Sequence, residues 1–176
     1  MSVLAEALNV IVRRSTLEEK YPGGVTAYEQ DCPNATFCAD AFLTRVGFMA
    51  PPDVEGFVRG LEANGLVFSD GRQFVDVAVV DEYQGPTSPC SWLQSGRHPA
   101  GFTAVWLVGT DPSPIACPAG WSLGQSAKLK FTPSEEFAAR FLPMMSEARL
   151  DVLLDYSTGK EVYIGRTSRG ELQPPA

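Results

Sequence analysis

The segment from Leu43 to Glu82 constrains the fold more than any other part of this chain, because it combines two strand patterns with one complete helix pattern. Residues 44–49 have the apolar and β-branched character of a strand. Two prolines and Asp53 then open a helix, whose apolar residues recur three and four positions apart. The pair Asn64-Gly65, which tolerates positive φ, is typical of a helix end. Residues 74–80 form a second strand pattern, so the sequence predicts a packed strand–helix–strand unit.

Shorter patterns precede this unit. Residues 4–12 form an apolar run that fits either a helix leading into a strand or one long helix. The segment Ser15-Thr16-Leu17-Glu18 matches a capping box, in which serine and glutamate side chains bind amides of the first helical turn. The proline and two glycines at 22–24 predict that this helix ends near Tyr21. A further short helix is expected to end before Pro33.

The rest of the chain alternates between loop signals and short regular patterns. Glycine and proline are frequent at 85–101 and 111–120, which predicts two long irregular loops around a buried strand at 102–108. Thr132-Pro133-Ser134-Glu135 is typical of a helix start. Two β-prone runs around a glycine-containing turn predict a hairpin within 152–164. The apolar face of the helix that starts at Thr132 comprises Phe137, Phe141 and Met145.

This order of elements favours a single α+β domain over residues 1–172, with a mostly antiparallel sheet and helices on one side. A ferredoxin-like core, extended by a C-terminal helix and hairpin, is one arrangement compatible with the order. The 176 residues, 44% of them hydrophobic, are enough for one domain with a substantial core. Residues 173–176 are expected to form a flexible tail.

The charge of the chain is negative and unevenly spread. Its formal net charge is −7, and residues 1–99 carry thirteen acidic and seven basic side chains. An acidic surface is repelled by the phosphates of nucleic acids, so we expect no nucleic-acid partner. The same field attracts a basic protein and speeds its association.

The start of the chain lacks the basic region and apolar core of a signal peptide. No run reaches the roughly 18 apolar residues that a membrane helix needs. We therefore expect a cytoplasmic protein that does not bind membranes. Its four cysteines are then expected to be reduced thiols. They lack C-x-x-C spacing, and a single histidine rules out multi-histidine metal sites, so no metal or cofactor is expected.

The residues Cys38, Cys90 and His98 are the candidates for catalysis. A small thiol-dependent hydrolase or transferase would use one of these cysteines as nucleophile and the only histidine as base. Their sequence spacing gives no reason to place them together. The sequence therefore favours a protein without catalytic activity.

Candidate binding residues cluster at the end of the second strand pattern and in the loop after it. Asp81 and Glu82 end the strand and would supply steering and rim contacts. Tyr83 and Trp92 are large aromatic side chains that would anchor a protein interface. The other acidic residues assigned to this surface are Asp53, Glu55, Glu62 and Asp70.

Five short phrases carry a resemblance to known proteins. They are Cys38-Ala39-Asp40, Val46-Gly47-Phe48-Met49, the run from Asp81 to Pro86, the run from Pro89 to Leu93 and the run from Asp155 to Gly165. In these phrases the chain resembles small bacterial proteins of unassigned function and is similar to acidic immunity-type proteins, which block a partner toxin. The resemblance implies an inhibitor of a basic protein partner and assigns no site residues.

Overall fold

A computed structural model of the protein describes residues 1–122, 141–147, 150–155 and 159–165. Within these ranges it contains three α-helices and twelve β-strands. No helix among the described residues is both long enough and apolar enough to cross a membrane. The helices are α1 (Arg14–Lys20), α2 (Gly24–Asp31) and α3 (Pro51–Ala63). The strands are β1 (Ser2–Ala5), β2 (Leu8–Arg13), β3 (Cys38–Ala39), β4 (Leu43–Phe48), β5 (Val77–Asp81), β6 (Gly85–Pro86), β7 (Leu93–Arg97), β8 (Thr103–Leu107), β9 (Ile115–Ala116), β10 (Phe141–Glu147), β11 (Leu150–Asp155) and β12 (Lys160–Gly165).

The largest sheet has the strand order β3-β4-β2-β5-β6, and each pairing in it is antiparallel. Helices α1 and α2 connect β2 to β3, which lies on the far side of β4. Helix α3 connects β4 to β5, which lies on the far side of β2. These two interleaved split β-α-β units form a ferredoxin-like β-α-β-β-α-β core, with β6 added at one edge. The predicted α+β fold with a mostly antiparallel sheet is therefore confirmed.

The second sheet has the order β7-β8-β1-β9, with β9 parallel to β1 and the other pairs antiparallel. Strand β8 confirms the strand expected at 102–108. The two long loops were predicted wrongly in part, because 85–101 contains β6 and β7 and 111–120 contains β9. Strand β7 is mostly polar, so its pairing with β8 determines its conformation more than its own sequence does.

The chain passes from one sheet to the other at Glu6 and Ala7, between β1 and β2. Ala7 has φ +54°, a left-handed conformation that is uncommon for a residue with a side chain. The prediction of a helix within 4–12 is therefore wrong. Both strands are buried, and a continuous apolar run in a fully buried strand cannot be told from a buried helix by its period.

The helices before the central unit agree with the sequence in position but not in capping. Helix α1 ends before Tyr21 and α2 ends before Pro33, as predicted. The capping box is wrong, because α1 already begins at Arg14 and no side chain caps it. Instead the amide of Arg14 donates to the carbonyl of Phe42 at 2.8 Å. Strand β2 runs directly into α1, and a backbone neighbour satisfies the first helical amide.

The third sheet is the antiparallel meander β10-β11-β12. It confirms the predicted hairpin, in which Leu153 pairs with Val162. Phe141 and Met145 lie in β10, so their assignment to a helix face is wrong. Pro143 adjoins an irregularity in the register of β10, a position at which proline is tolerated in a strand. The predicted helix start at 132–135 and the tail at 173–176 lie outside the described residues.

Candidate interaction site

Helix α3 presents one apolar and one charged face, and its sequence explains both its ends and its orientation. Prolines occupy its first two positions, where an amide donor is not needed, and Asp53 lies in the first turn. Val54, Val58 and Leu61 are buried against the sheet. Gly65 ends the segment with φ +93°. The outward face therefore carries the charged side chains of the helix.

A groove with a volume of about 360 Å³ runs beside α3, between the helix and the five-stranded sheet. This volume lies within the range of about 300–1,000 Å³ that is common for binding pockets. Its floor consists of aliphatic and aromatic side chains from β2, α3, β5 and the segment after α3. The apolar lining comprises Leu8, Pro51, Val54, Val58, Phe68 and Val79. The polar lining comprises Glu55, Arg59, Glu62 and Thr87.

The rim of this groove is acidic on balance. Glu55 and Arg59, one helical turn apart, form an ion pair of 3.2 Å between Oε2 and Nη2. Their side chains are 68% and 76% exposed, so water screens the pair and it contributes little to stability. Arg59 offsets one of the two glutamates, and the exposed Glu62 leaves the rim negative. The arrangement can hold an apolar group beneath a positively charged neighbour.

The candidate binding residue Asp81 has a structural role in a turn. Its side chain is fully buried, and Oδ1 accepts the amide protons of Tyr83 at 2.8 Å and Gln84 at 3.2 Å. An aspartate that binds amides two and three residues onward stabilises a turn in this way. The carboxylate therefore does not face solvent.

Glu82 also binds its own chain, whereas Tyr83 is open to solvent. The carboxylate of Glu82 accepts the amide proton of Ala7 at 3.0 Å and lies 3.9 Å from Nη1 of Arg97. Tyr83 is 55% exposed, and the guanidinium of Arg97 lies 6.0 Å from the centre of its ring. Of this turn, the tyrosine ring is the part that could contact a partner.

Trp92 lies at a different place, under the side chain of Arg13. The guanidinium carbon of Arg13 is 5.1 Å from the centre of the indole ring, a distance at which a cation is attracted to an aromatic face. Arg13 also binds the carboxylate of Asp76 at 3.5 Å. The ring is half-buried, so much of it is already covered by the protein itself.

The structure places the three catalytic candidates at three separate positions. Burial raises the pKa of Cys38 to about 11 and also raises the pKa of Cys90, so both thiols are protonated at neutral pH. His98 is exposed, stacks on Phe102 with ring centres 4.5 Å apart, and accepts the amide proton of Ala100 at Nδ1. Among the described hydrogen bonds, none joins His98 to either thiol. The described residues also contain no cluster of three or more potential metal ligands.

A buried arginine lies between the two sheets and was not singled out by the sequence. Arg45 is 2% exposed, and burial lowers its pKa. Its Nε donates to Oδ1 of Asn9 at 2.6 Å, and its Nη1 donates to the carbonyl of Thr36 at 3.0 Å. Its Nη2 donates to the carbonyl of Glu6 at 3.4 Å. Gly47 leaves room for this guanidinium, since a Cβ atom there would lie 2.5 Å from Nη2.

The groove was also missed at the sequence level, although its helix was predicted. Val54 and Val58 belong to the apolar stripe of α3 and Val79 to the predicted strand, so three of the six apolar lining residues were foreseeable. Phe68 and Thr87 come from irregular segments, and only tertiary packing brings them to the groove.

Comparison with known proteins identifies no relative of this chain. No protein-family model, curated protein or solved structure matches the chain.

Proposed function

We propose that this protein is a non-enzymatic, cytoplasmic interaction protein that binds a basic protein partner through the groove beside α3. The observation that carries the proposal is the combination of an apolar floor with an acidic rim. An apolar side chain of the partner would enter the groove, and basic side chains around it would meet the glutamates of α3.

The two parts of the groove have different effects on binding. Burial of one leucine-sized or phenylalanine-sized side chain contributes roughly 1.5–3 kcal/mol, which is the scale of an interface anchor. Rim charges mainly speed the encounter and make it sensitive to salt. The formal net charge of −7 supports the same choice of partner.

Immunity-type inhibition is the sharpest form of this proposal. A toxin that acts on nucleic acid needs basic side chains to neutralise phosphates. An acidic protein that covers such a surface would block the toxin by occupying the place of its substrate. The resemblance of the five sequence phrases to acidic immunity-type proteins motivates this form.

The first experiment is affinity capture of the tagged protein from native lysate, with stepwise salt elution and mass spectrometry. Thr87→Trp fills the groove from its exposed edge, and the adjacent Ser88→Trp is the control for bulk, because Ser88 does not line the groove. Glu62→Gln removes one rim charge, and Glu19→Gln on α1 is the control for charge.

We expect one basic protein in stoichiometric amount, with affinity lowered at least about tenfold by Thr87→Trp and little changed by Ser88→Trp. Glu62→Gln should weaken the salt dependence of binding more than Glu19→Gln does. Equal retention by wild type and Thr87→Trp would show that the groove is not the docking site. Absence of any partner at every salt concentration would overturn the proposed function itself.

A further inference from the structure

Two of the four thiols lie where edge strands of the two sheets meet. Cys38 is in β3, at the edge of the five-stranded sheet, and Cys117 directly follows β9, at the edge of the four-stranded sheet. The thiol of Cys38 donates to the carbonyl oxygen of Ala116 at 3.6 Å. Peptide geometry holds that oxygen about 2.8 Å from the next Cα, so Cα of Cys117 lies within about 6.4 Å of Sγ of Cys38.

The strands at these two cysteines are short edge strands. Both β3 and β9 are only two residues long and lie at sheet edges. A disulfide needs Cα atoms about 4.4–6.8 Å apart and Cβ atoms that face each other. The bound of about 6.4 Å between Sγ of Cys38 and Cα of Cys117 places the two cysteines in the neighbourhood that a disulfide needs.

The guanidinium of Arg45 acts on both thiols. Burial raises the pKa of Cys38 and of Cys117, and the negative charge of Glu6 raises the pKa of Cys117 further, whereas the positive charge of Arg45 opposes the rise in both cases. Cys38 is buried, whereas Cys117 is half-buried and reachable from solvent. A thiol that is reachable from solvent and has a second thiol close to it has the geometry for internal thiol–disulfide exchange.

We propose that Cys38 and Cys117 form a reversible disulfide that joins the edges of the two sheets. The Cys117 thiolate attacks one sulfur of a small-molecule disulfide of the glutathione class, whose S–S bond breaks and releases one thiolate. The Cys38 thiol then loses its proton to water and attacks the Cys117 sulfur, which releases the second small thiolate. Two protein thiols are oxidised and one small disulfide is reduced to two thiols.

The bond would fix β9 and the exposed segment around it to the five-stranded sheet. Residues 111–114 are exposed, and Ser2 on β1 donates hydrogen bonds to the carbonyls of Pro112 and Pro114. A disulfide would add a covalent link to these hydrogen bonds, so oxidation should slow proteolytic cleavage in this segment. Transient disulfides of this kind are the form in which cytoplasmic proteins sense redox conditions.

The other two cysteines are internal controls. The thiol of Cys32 donates to the carbonyl of Tyr28 at 3.2 Å, in the buried end of α2. Cys90 lies in the loop before β7, and Arg13 acts on it rather than Arg45. The double variant Cys32→Ser/Cys90→Ser therefore leaves the proposed pair intact, and Cys117→Ser removes its half-buried member without altering the buried one.

The test is incubation of the full-length protein with oxidised glutathione, followed by intact mass measurement and peptide mapping, with dithiothreitol for reversal. We expect loss of two hydrogen atoms and a linked 38–117 peptide pair, in wild type and equally in Cys32→Ser/Cys90→Ser. Cys117→Ser should give no internal disulfide. The proposal is wrong if the protein forms no internal disulfide at equilibrium, or if the linked pair includes Cys32 or Cys90.

Discussion

Glu82 and Ala7 are joined by two hydrogen bonds that run in opposite directions. The amide of Ala7 donates to Oε2 of Glu82 at 3.0 Å, and the amide of Glu82 donates to the carbonyl of Ala7 at 2.9 Å. The pair holds the corner at which the chain leaves one sheet and enters the other. Glu82 thus stabilises the strained backbone at Ala7.

Replacement of Glu82 by alanine should destabilise the protein by about 1–3 kcal/mol, because it leaves the Ala7 amide without its acceptor. Glu82→Gln keeps an acceptor oxygen, so its loss of stability should be much smaller. Urea unfolding followed by circular dichroism measures both. Equal midpoints for wild type and Glu82→Ala would contradict this role.

The contact between Gly47 and Arg45 predicts a second stability effect. A methyl group at Gly47 would meet a guanidinium that three hydrogen bonds hold in place, so Gly47→Ala should cost about 1–3 kcal/mol. Gly56 lies in α3 with open space around it, and Gly56→Ala should stabilise the helix by roughly 0.5–1 kcal/mol. The midpoint of thermal unfolding should therefore fall in Gly47→Ala and rise in Gly56→Ala. A loss of stability in both variants would contradict this prediction.

Asp76 predicts a dependence of stability on pH. Burial alone would raise the pKa of its carboxyl, but the hydrogen bonds from Lys20 and from the Val67 amide, with the charges of Lys20 and Arg13, lower it below its ordinary value. A lowered pKa in the folded state stabilises the protein above the unfolded pKa of about 3.9, and this contribution is lost as pH falls through the folded pKa. Asp76→Asn should therefore be about 1–3 kcal/mol less stable than wild type at pH 7.

The difference in unfolding free energy between wild type and Asp76→Asn should become smaller below about pH 4, as Asp76 itself becomes neutral. Urea unfolding at pH 7 and at pH 3 measures it. Glu19→Gln, on the exposed side of α1, controls for the loss of one negative charge. A difference that stays constant across this range would mean that the carboxylate of Asp76 does not act through its charge.

The turn after β5 contains one residue with a structural role, Asp81, and one that is accessible to solvent, Tyr83. Asp81→Ala removes an acceptor for two amides and should cost about 1–2 kcal/mol. Tyr83→Ala should stay within about 0.5 kcal/mol, since the ring is largely exposed. Chemical unfolding measures the loss of stability in each variant. A larger loss in Tyr83→Ala than in Asp81→Ala would mean that the roles of the two residues are misassigned.

The sequence predicted the central part of the fold because local signals there are complete. Helix α3 has its prolines at the start, its apolar stripe at 54, 58 and 61, and Gly65 at its end. Strand β4 and the later hairpin also have patterns that need no knowledge of their partners. In such segments the local preference and the tertiary structure agree.

Other elements could not be read from the sequence, for identifiable physical reasons. The run at 4–12 is buried on both faces and so carries no period, and β7 depends on pairing with β8. Arg45 looks like an ordinary polar residue of a strand, and nothing in the sequence shows that a second sheet covers it. The groove likewise depends on Phe68 and Thr87, whose positions only packing determines.

The corner at Glu6 and Ala7 has a consequence for how the molecule opens. Strand β1 lies inside one sheet, between β8 and β9, and β2 lies inside the other, between β4 and β5. Two inner strands that are one run of chain cannot leave their sheets independently, because separation of either pulls on the other. Amide hydrogens on both sides of the bend, such as those of Val3 and Val10, should therefore exchange with deuterium through one shared opening event.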